Sequence, residues 1–531
     1  MKIFLGIELG STRIKAVVID SKGKLLASGG YNWENRFENG VWTYHLEDVW
    51  AGLQKSFSEL SIDYRERHAT PLPEISGIGV SAMMHGYLAL DKSGSQLAEF
   101  RTWRNTITEK ASAILTEKFS FNIPQRWSIA HLYRAIMGGE THVRDIGFIT
   151  TLAGYVHYKL TGEKVIGIGD ASGMFPVDSV TGDYYSDMVK QFDELVSEYK
   201  TPWRLLDIMP KVLSAGANAG YLTDEGAKLL DPTGTLQPGI PLCPPEGDAG
   251  TGMVATNAIS PLTGNVSAGT SVFAMLVLKG ALSKLYTQID MITTPAGQPA
   301  AMVHCNNCTS DLDAWVNLFA EVMTQMGTPP DKTNLYGTLY NAALRGTPDG
   351  GGIVSVNYLS GEHTTGFQSG RPIFARTPDS LFTLENFMRT LLFSSMATLK
   401  IGMNILTENE GIKLSKLLGH GGLFKTAAVG QKLMAGILNI PVAVMESADE
   451  GGAWGIALLA AYMVCKGDNE NLESYLEHKI FSDFAVTTIK PDPIDVEGFE
   501  AYLQRYKAAL SVERKAVEIL PDYREQRLPP L

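Results

Sequence analysis

A short strand, a glycine-and-hydroxyl turn and a second strand occur twice in this chain. That repetition constrains the fold more than any other feature. The first copy is Gly6-Ile7-Glu8-Leu9-Gly10-Ser11-Thr12-Arg13-Ile14-Lys15-Ala16-Val17-Val18-Ile19-Asp20, and the second runs from Gly264 to Leu278 around Gly269-Thr270-Ser271. In each, apolar runs rich in β-branched residues flank the turn, which reads as a β-hairpin with backbone N–H groups and short hydroxyls at its tip. Such a tip suits a polyanion, because Gly10 lets the backbone come close while Ser11 and Thr12 add donors. One hairpin of this kind is ordinary turn chemistry. Two of them, roughly 250 residues apart, predict two related halves. Glu8 lies on the incoming strand, where its carboxylate could hold a cation that bridges to phosphate.

At 531 residues the chain is too long for one small core. Its formal charge of −12 argues against a nucleic-acid surface and gives no polybasic reason to sit on a membrane. The few apolar residues before Glu8 are too short for a signal segment. The longest uncharged apolar stretch, Gly451 to Cys465, falls short of the ~20 residues that span a bilayer. A cytoplasmic protein is expected. Four cysteines make no disulfide framework. Cys305-Asn306-Asn307-Cys308 has redox or half-zinc spacing without a second pair, so reduced, partly buried thiols are the simpler reading.

Between the hairpins, Leu46 to Leu60 carries Val49, Leu53, Phe57 and Leu60 at helical spacing, with Glu47 and Asp48 in its first turn. Ile75 to Val80 predicts a strand, followed by Met83-Met84-His85-Gly86. His85 beside Gly86 can point into a cleft and bond a hydroxyl, although locally a satisfied buried histidine is the first reading. Trp103, Arg104 and Asn105 combine an aromatic wall with guanidinium and amide donors, the mixture that sugars require. Asp170, in the turn-rich run Gly169 to Met174, could reach a substrate or simply form an Asx turn. Asp248 opens a helix after the proline-forced exit Pro244-Pro245-Glu246-Gly247. There it either caps amides or stands as an ionised carboxylate at a cleft edge, and local sequence does not choose. Past the second hairpin, Phe387 to Leu406 predicts a long helix. Leu417 to Thr426 is a glycine-rich loop that feeds a helix from Ala427 to Leu438, and its small residues would admit a planar ring. Asp449 to Ala457 opens an Ala-rich helix.

The order of these motifs resembles the FGGY carbohydrate kinases, members of the actin, hexokinase and Hsp70 ATPase superfamily. The resemblance runs from Gly6 to about Ala461. It rests most on Gly247-Asp248, Gly269-Thr270-Ser271 and the Gly421-Gly422 loop with Glu450 to Ala457 behind it. It implies an α/β fold of two ribonuclease H-like domains related by duplication, residues 1–257 and 258–531, with an active-site cleft between them. It further implies ATP and Mg²⁺ as cofactors, a small sugar as substrate, and neither nucleic acid nor membrane as partner, with a homodimer left open. Asp248 becomes the general base that takes the proton of the attacking hydroxyl. Gly10, Ser11, Thr12, Gly269, Thr270 and Ser271 would contact phosphates, Gly421, Gly422 and Leu423 would flank adenosine, and Glu8 would serve the metal. Met84-His85-Gly86 is similar to the Met-His-Gly of the xylulokinase branch. That makes Met84 and His85, with Trp103, Arg104, Asn105 and Asp248, the expected sugar contacts. Asn105 stands where the family has Asp, Ile107 where it has Arg, and Glu8 where it has Asp. The implied reaction phosphorylates the terminal hydroxyl of a ketopentose of the D-xylulose or L-ribulose type. Another small acceptor (ketohexose, pentitol or glycerol) and a non-kinase actin-like ATPase are the alternatives. A dinucleotide oxidoreductase would need a Gly-x-Gly-x-x-Gly turn entering a helix, and Gly6 to Thr12 enters a strand instead.

Overall fold

The computed structural model describes residues 1–426, 428–445 and 451–522. It divides into two compact units. One comprises Met1–Pro261, Val277–Ala301 and Ser447–Phe484, and the other Leu262–Leu276, Met302–Glu446 and Ala485–Leu531.

In the first unit the hairpin forms as the sequence predicts. Ile3–Leu9 and Arg13–Asp20 run antiparallel with Glu8 opposite Lys15, and Leu25–Asn32 extends the sheet beyond the second strand. On its other edge Ile3–Leu9 takes Gly77–Ala82 as a parallel neighbour, with Glu8 opposite Ser81, and that strand pairs in parallel with Glu246–Gly247. Both faces of the sheet are covered, which is why its strands read as nearly continuous apolar runs. Helix Leu46–His68 lies on one face and buries Val49, Leu53, Phe57, Leu60 and Tyr64. It continues past the predicted end at Leu60 because Tyr64 extends the buried stripe, and it stops at Ala69, whose φ of 56° is left-handed. Helix Gly451–Cys465 covers the opposite face and is buried from Gly452 to Tyr462. Gly6 marks where it crosses the first strand: a side-chain carbon there would overlap the Ala453 carbonyl.

The second unit repeats the local order. Strands Thr263–Ala268 and Val272–Val277 form the antiparallel hairpin, and the first of them takes Lys416–His420 as its parallel neighbour. Val442–Met445 follows in parallel and Val486–Ile489 closes the edge antiparallel. Each unit thus carries a hairpin whose leading strand is also one member of a parallel pair, as two related halves require. Helix Leu384–Asn404 starts one turn before the expected Phe387, because Thr383 caps it by accepting the Asn386 amide. It packs on the long helix Pro493–Ile519, which the sequence reading did not assign, through Phe393 against Phe499 at 5.0 Å and an ion pair between Arg389 and Asp495.

Candidate functional site

The first hairpin tip is held by aromatic side chains from three places in the unit. Trp33 donates its indole N–H to the Gly10 carbonyl at 2.7 Å, and the Tyr44 hydroxyl donates to the Ser11 carbonyl at 2.6 Å. Their rings stack at 4.2 Å. Trp103 donates to Ser11 Oγ at 3.3 Å, so the segment expected to hold sugar touches the turn expected to hold phosphate. Arg104 lies over the Trp42 ring at 4.0 Å. Asn105 takes a different place from the one its chemistry suggested. Its Oδ1 accepts the Trp42 amide, and its Nδ2 donates to the carbonyls of Trp42 and Thr102, all within 2.9 Å. Its amide is committed to the backbone that carries Trp42 and Trp103, so it shapes the wall rather than offering a spare donor to a sugar hydroxyl.

Strand Gly77–Ala82 delivers Met83 to Gly86 beside the strand Glu246–Gly247, which leads into Asp248. Asp248 is the first residue of helix Asp248–Ala255, and its Oδ1 accepts the Met84 amide at 3.0 Å. Asp248 is thus a carboxylate at a helix start that is also tied to the Met-His-Gly turn. Desolvation by the protein around it pushes its pKa above the ordinary carboxylate value although the residue itself stays exposed, while the amides of Met84 and Ala249 pull against that. His85 is buried and adopts a left-handed φ of 73°, with Gly86 at 94°. A β-carbon in that region is strained, and such residues concentrate at functional sites. Nδ1 of His85 faces the Gly173 carbonyl at 3.3 Å, and because a carbonyl only accepts, that nitrogen carries the hydrogen. The ring stacks parallel to Trp127 with centroids 6.4 Å apart.

Glu8 reaches across to helix Gly451–Cys465, where its carboxylate accepts the Ala453 amide at 3.2 Å. A side chain on Gly452 would overlap the same carboxylate, so this glycine makes the room for it. Desolvation, and then the charge of Asp248, raise the Glu8 pKa to about 7. The two carboxylates repel one another, and a cation beside them would relieve that repulsion. Their hard oxygens suit Mg²⁺, which proteins usually hold through one or two carboxylates together with water and phosphate. Among the described residues no group of three or more His, Cys, Asp and Glu side chains could cage a metal on its own. Cys305 and Cys308 are buried free thiols whose pKa values burial raises, as expected of inert cysteines.

The sequence reading passed over Glu246, which is buried two residues before Asp248. Asp170, from sequence either within reach of a substrate or part of an Asx turn, is a second acid of this kind. Asp170 is fully buried, its Oδ2 accepts the Thr151 hydroxyl at 2.6 Å, and burial raises its pKa to about 7. The available signal was an acid directly preceding Gly-Asp in an otherwise apolar run.

In the second unit, Gly269 closes its turn by donating to the Ser271 carbonyl at 2.9 Å. The Cys308 and Thr309 amides donate to the carbonyls of Thr270 and Gly269, both at 3.0 Å, so the Cys-x-x-Cys segment braces that hairpin. Gly421, at φ 97°, comes so close that a side-chain carbon would sit 2.5 Å from the Ala268 carbonyl. Gly422 to Phe424 form a single helical turn with Leu423 buried. The structure therefore brings Gly269, Thr270, Ser271 and Gly421 into one neighbourhood. Glu450 of the supporting motif lies outside the described residues, as does Ala427. Among the described residues no helix is long and apolar enough to cross a membrane.

Residues 3–131 match the N-terminal domain, and residues 264–464 the C-terminal domain, of the FGGY family of carbohydrate kinases. A xylulose kinase of Haemophilus influenzae is 24% identical over 529 residues, covering 96% of this chain and 99% of that protein. Among solved structures, xylulose kinase from Rhodospirillum rubrum superposes with a TM-score of 0.77 at 18% identity, over 96% of this chain and 99% of that one. Gluconate kinase from Lactobacillus acidophilus does so with a TM-score of 0.77 at 16% identity, over 97% and 99%. At these identities the structural likeness speaks for the fold alone.

Proposed function

This chain belongs to the FGGY family of carbohydrate kinases, ATP-dependent enzymes, and we propose that its acceptor is a ketopentose of the D-xylulose or L-ribulose type. The observation that carries the reading is the bond from the Met84 amide to Asp248 Oδ1, which joins the Met84-His85-Gly86 turn to an exposed carboxylate of raised pKa. Xylulose kinase is also the name of a relative matched over nearly the whole chain.

In this reading His85 and the wall of Trp42, Trp103 and Arg104 orient the sugar, with Asn105 fixing that wall from behind. The terminal hydroxyl attacks the γ-phosphorus in line. As the new P–O bond forms and the bond to ADP breaks, Asp248 accepts the hydroxyl proton. Phosphoryl transfer asks a protein mainly for positioning and charge neutralisation, and a base of raised pKa is a better proton acceptor. Gly10, Ser11 and Thr12, and in the second unit Gly269, Thr270 and Ser271, bind phosphate oxygens. Gly421, Gly422 and Leu423 bind the adenosine. Glu8 would hold Mg²⁺ through water, and the bound ion would neutralise charge on the β- and γ-phosphates.

Sugar-dependent ADP release, screened over ketopentoses, ketohexoses, pentitols, gluconate and glycerol, tests the assignment. A ketopentose should give the highest kcat/KM, by about tenfold or more over the other classes, a gap of the size that one or two hydroxyl contacts supply. Highest turnover with gluconate or glycerol would reassign the acceptor, and ADP release indifferent to every acceptor would return the chain to a non-kinase ATPase.

A further inference from the structure

Glu246 has no part in the chemistry just described, yet the chain is shaped around it. Its carboxylate is buried, and both oxygens accept backbone amides: Oε1 from Gly169 at 3.2 Å and Oε2 from Asp170 at 2.9 Å. Glycines make the space. A side-chain carbon at Gly167 or Gly169 would overlap this carboxylate, and one at Gly250 would sit 3.5 Å from Oε2. A second bond runs beside it, from the Gly167 amide to the Pro245 carbonyl at 2.8 Å.

Each of the two segments joined here ends at a different part of the acceptor site. Glu246–Gly247 leads directly into Asp248. The segment from Gly167 to Gly173 ends on the carbonyl that receives His85 Nδ1. Between those ends, Ser172 Oγ donates to the Gly169 carbonyl at 2.6 Å and accepts the Thr293 amide at 3.0 Å. Asp170 turns Oδ1 toward Gly247, where an added side-chain carbon would lie 3.2 Å away. That oxygen is buried and has no hydrogen-bond partner among the described residues, so the segment is fixed through Glu246 and Thr151 rather than through a contact of Asp170 with Gly247.

We propose that Glu246 is a positioning residue of the acceptor site: by bolting the Gly167–Gly173 segment to the strand that presents Asp248, it sets the spacing between Asp248 and His85. The inference rests on the kinase reading above. A displaced His85 weakens sugar binding and a displaced Asp248 slows transfer, whereas nothing in this connection touches the residues assigned to nucleotide.

The test compares steady-state constants per mole of folded protein, as judged by near-ultraviolet circular dichroism. Glu246→Gln keeps the shape but sets an NH₂ group against one of the two amides. It should lower kcat by about tenfold or more and raise the sugar KM about fivefold, with the ATP KM within about twofold of wild type. Gly169→Ala pushes on the same carboxylate from outside and should give the same split. Ser172→Ala loosens the segment without adding atoms and should show a smaller split in the same direction, so it decides the matter if the first two do not fold. Wild-type constants in any folded variant, or equal rises in both KM values, would overturn the positioning role. Failure of the wild type itself to show sugar-dependent turnover would instead overturn the kinase reading, and this inference with it.

Discussion

Desolvation by the surrounding protein and a helix start pull the pKa of Asp248 in opposite directions, and desolvation is the stronger. The same balance explains why the local sequence left its role open, since an Asp before a helix looks alike whether it caps or catalyses. What distinguishes it is the Met84 amide, contributed from 164 residues earlier in the chain. Asn105 shows the converse. Its chemistry was legible, but its partners at Trp42 were not, because which backbone groups an amide meets is decided by packing. His131 allows a separate test of burial. Desolvation, then the nearby charges of Arg101 and Arg134, hold its pKa down at about 3, against an ordinary value of 6.5, and neither ring nitrogen has a hydrogen-bond partner among the described residues. Between those two values the unfolded chain binds the proton and the folded chain does not, so this residue costs stability as pH falls. The stability of His131→Leu relative to wild type should therefore improve by about 2 kcal/mol between pH 6.5 and pH 5, measured by urea unfolding. A difference that stays constant with pH would mean that the ring is already charged or hydrated in the fold.

At the scale of elements, the hairpins and the helix beginning at Asp248 were legible because apolar periodicity and turn residues agreed there. Where a helix ends was less so: Leu46–His68 outran its expected end by eight residues, since Tyr64 alone carries the stripe onward. Helix Ser128–Met137 is not among the predicted elements, and in the structure it is buried on nearly every side. The glycine-rich loop was read as a place where small residues admit a ring, and in the structure Gly421 is small for a further reason. Its φ of 97° and its approach to Ala268 leave no place for a side chain beside the second hairpin. If that loop and hairpin serve the nucleotide, Gly421→Ala should raise the ATP KM about tenfold while leaving the sugar KM within about twofold. A rise confined to the sugar KM would move this loop out of the nucleotide site.

For the whole molecule, the repetition of one hairpin was enough to predict two related halves, and each unit carries that hairpin with a parallel strand beside its leading strand. The reaction class was legible because the order of Gly10-Ser11-Thr12, Gly247-Asp248 and Gly269-Thr270-Ser271 resembles that of the carbohydrate kinases. The acceptor was not legible to the same degree. If His85 and the Trp42 wall hold the sugar, hydroxyl discrimination depends on tenths of an ångström around them, and a buried residue such as Glu246 has no motif of its own. The most direct test of a ketopentose kinase that uses Asp248 as its base follows product by mass, with ATP and xylulose or ribulose, in wild type and Asp248→Asn. The wild type should form the sugar monophosphate and one ADP for each product molecule. The variant should bind ATP with unchanged affinity but form product slower by three or more orders of magnitude, on the order expected when a proton acceptor at the reacting atoms is lost together with its charge. Turnover by Asp248→Asn within about tenfold of wild type would contradict the assignment of Asp248 as general base.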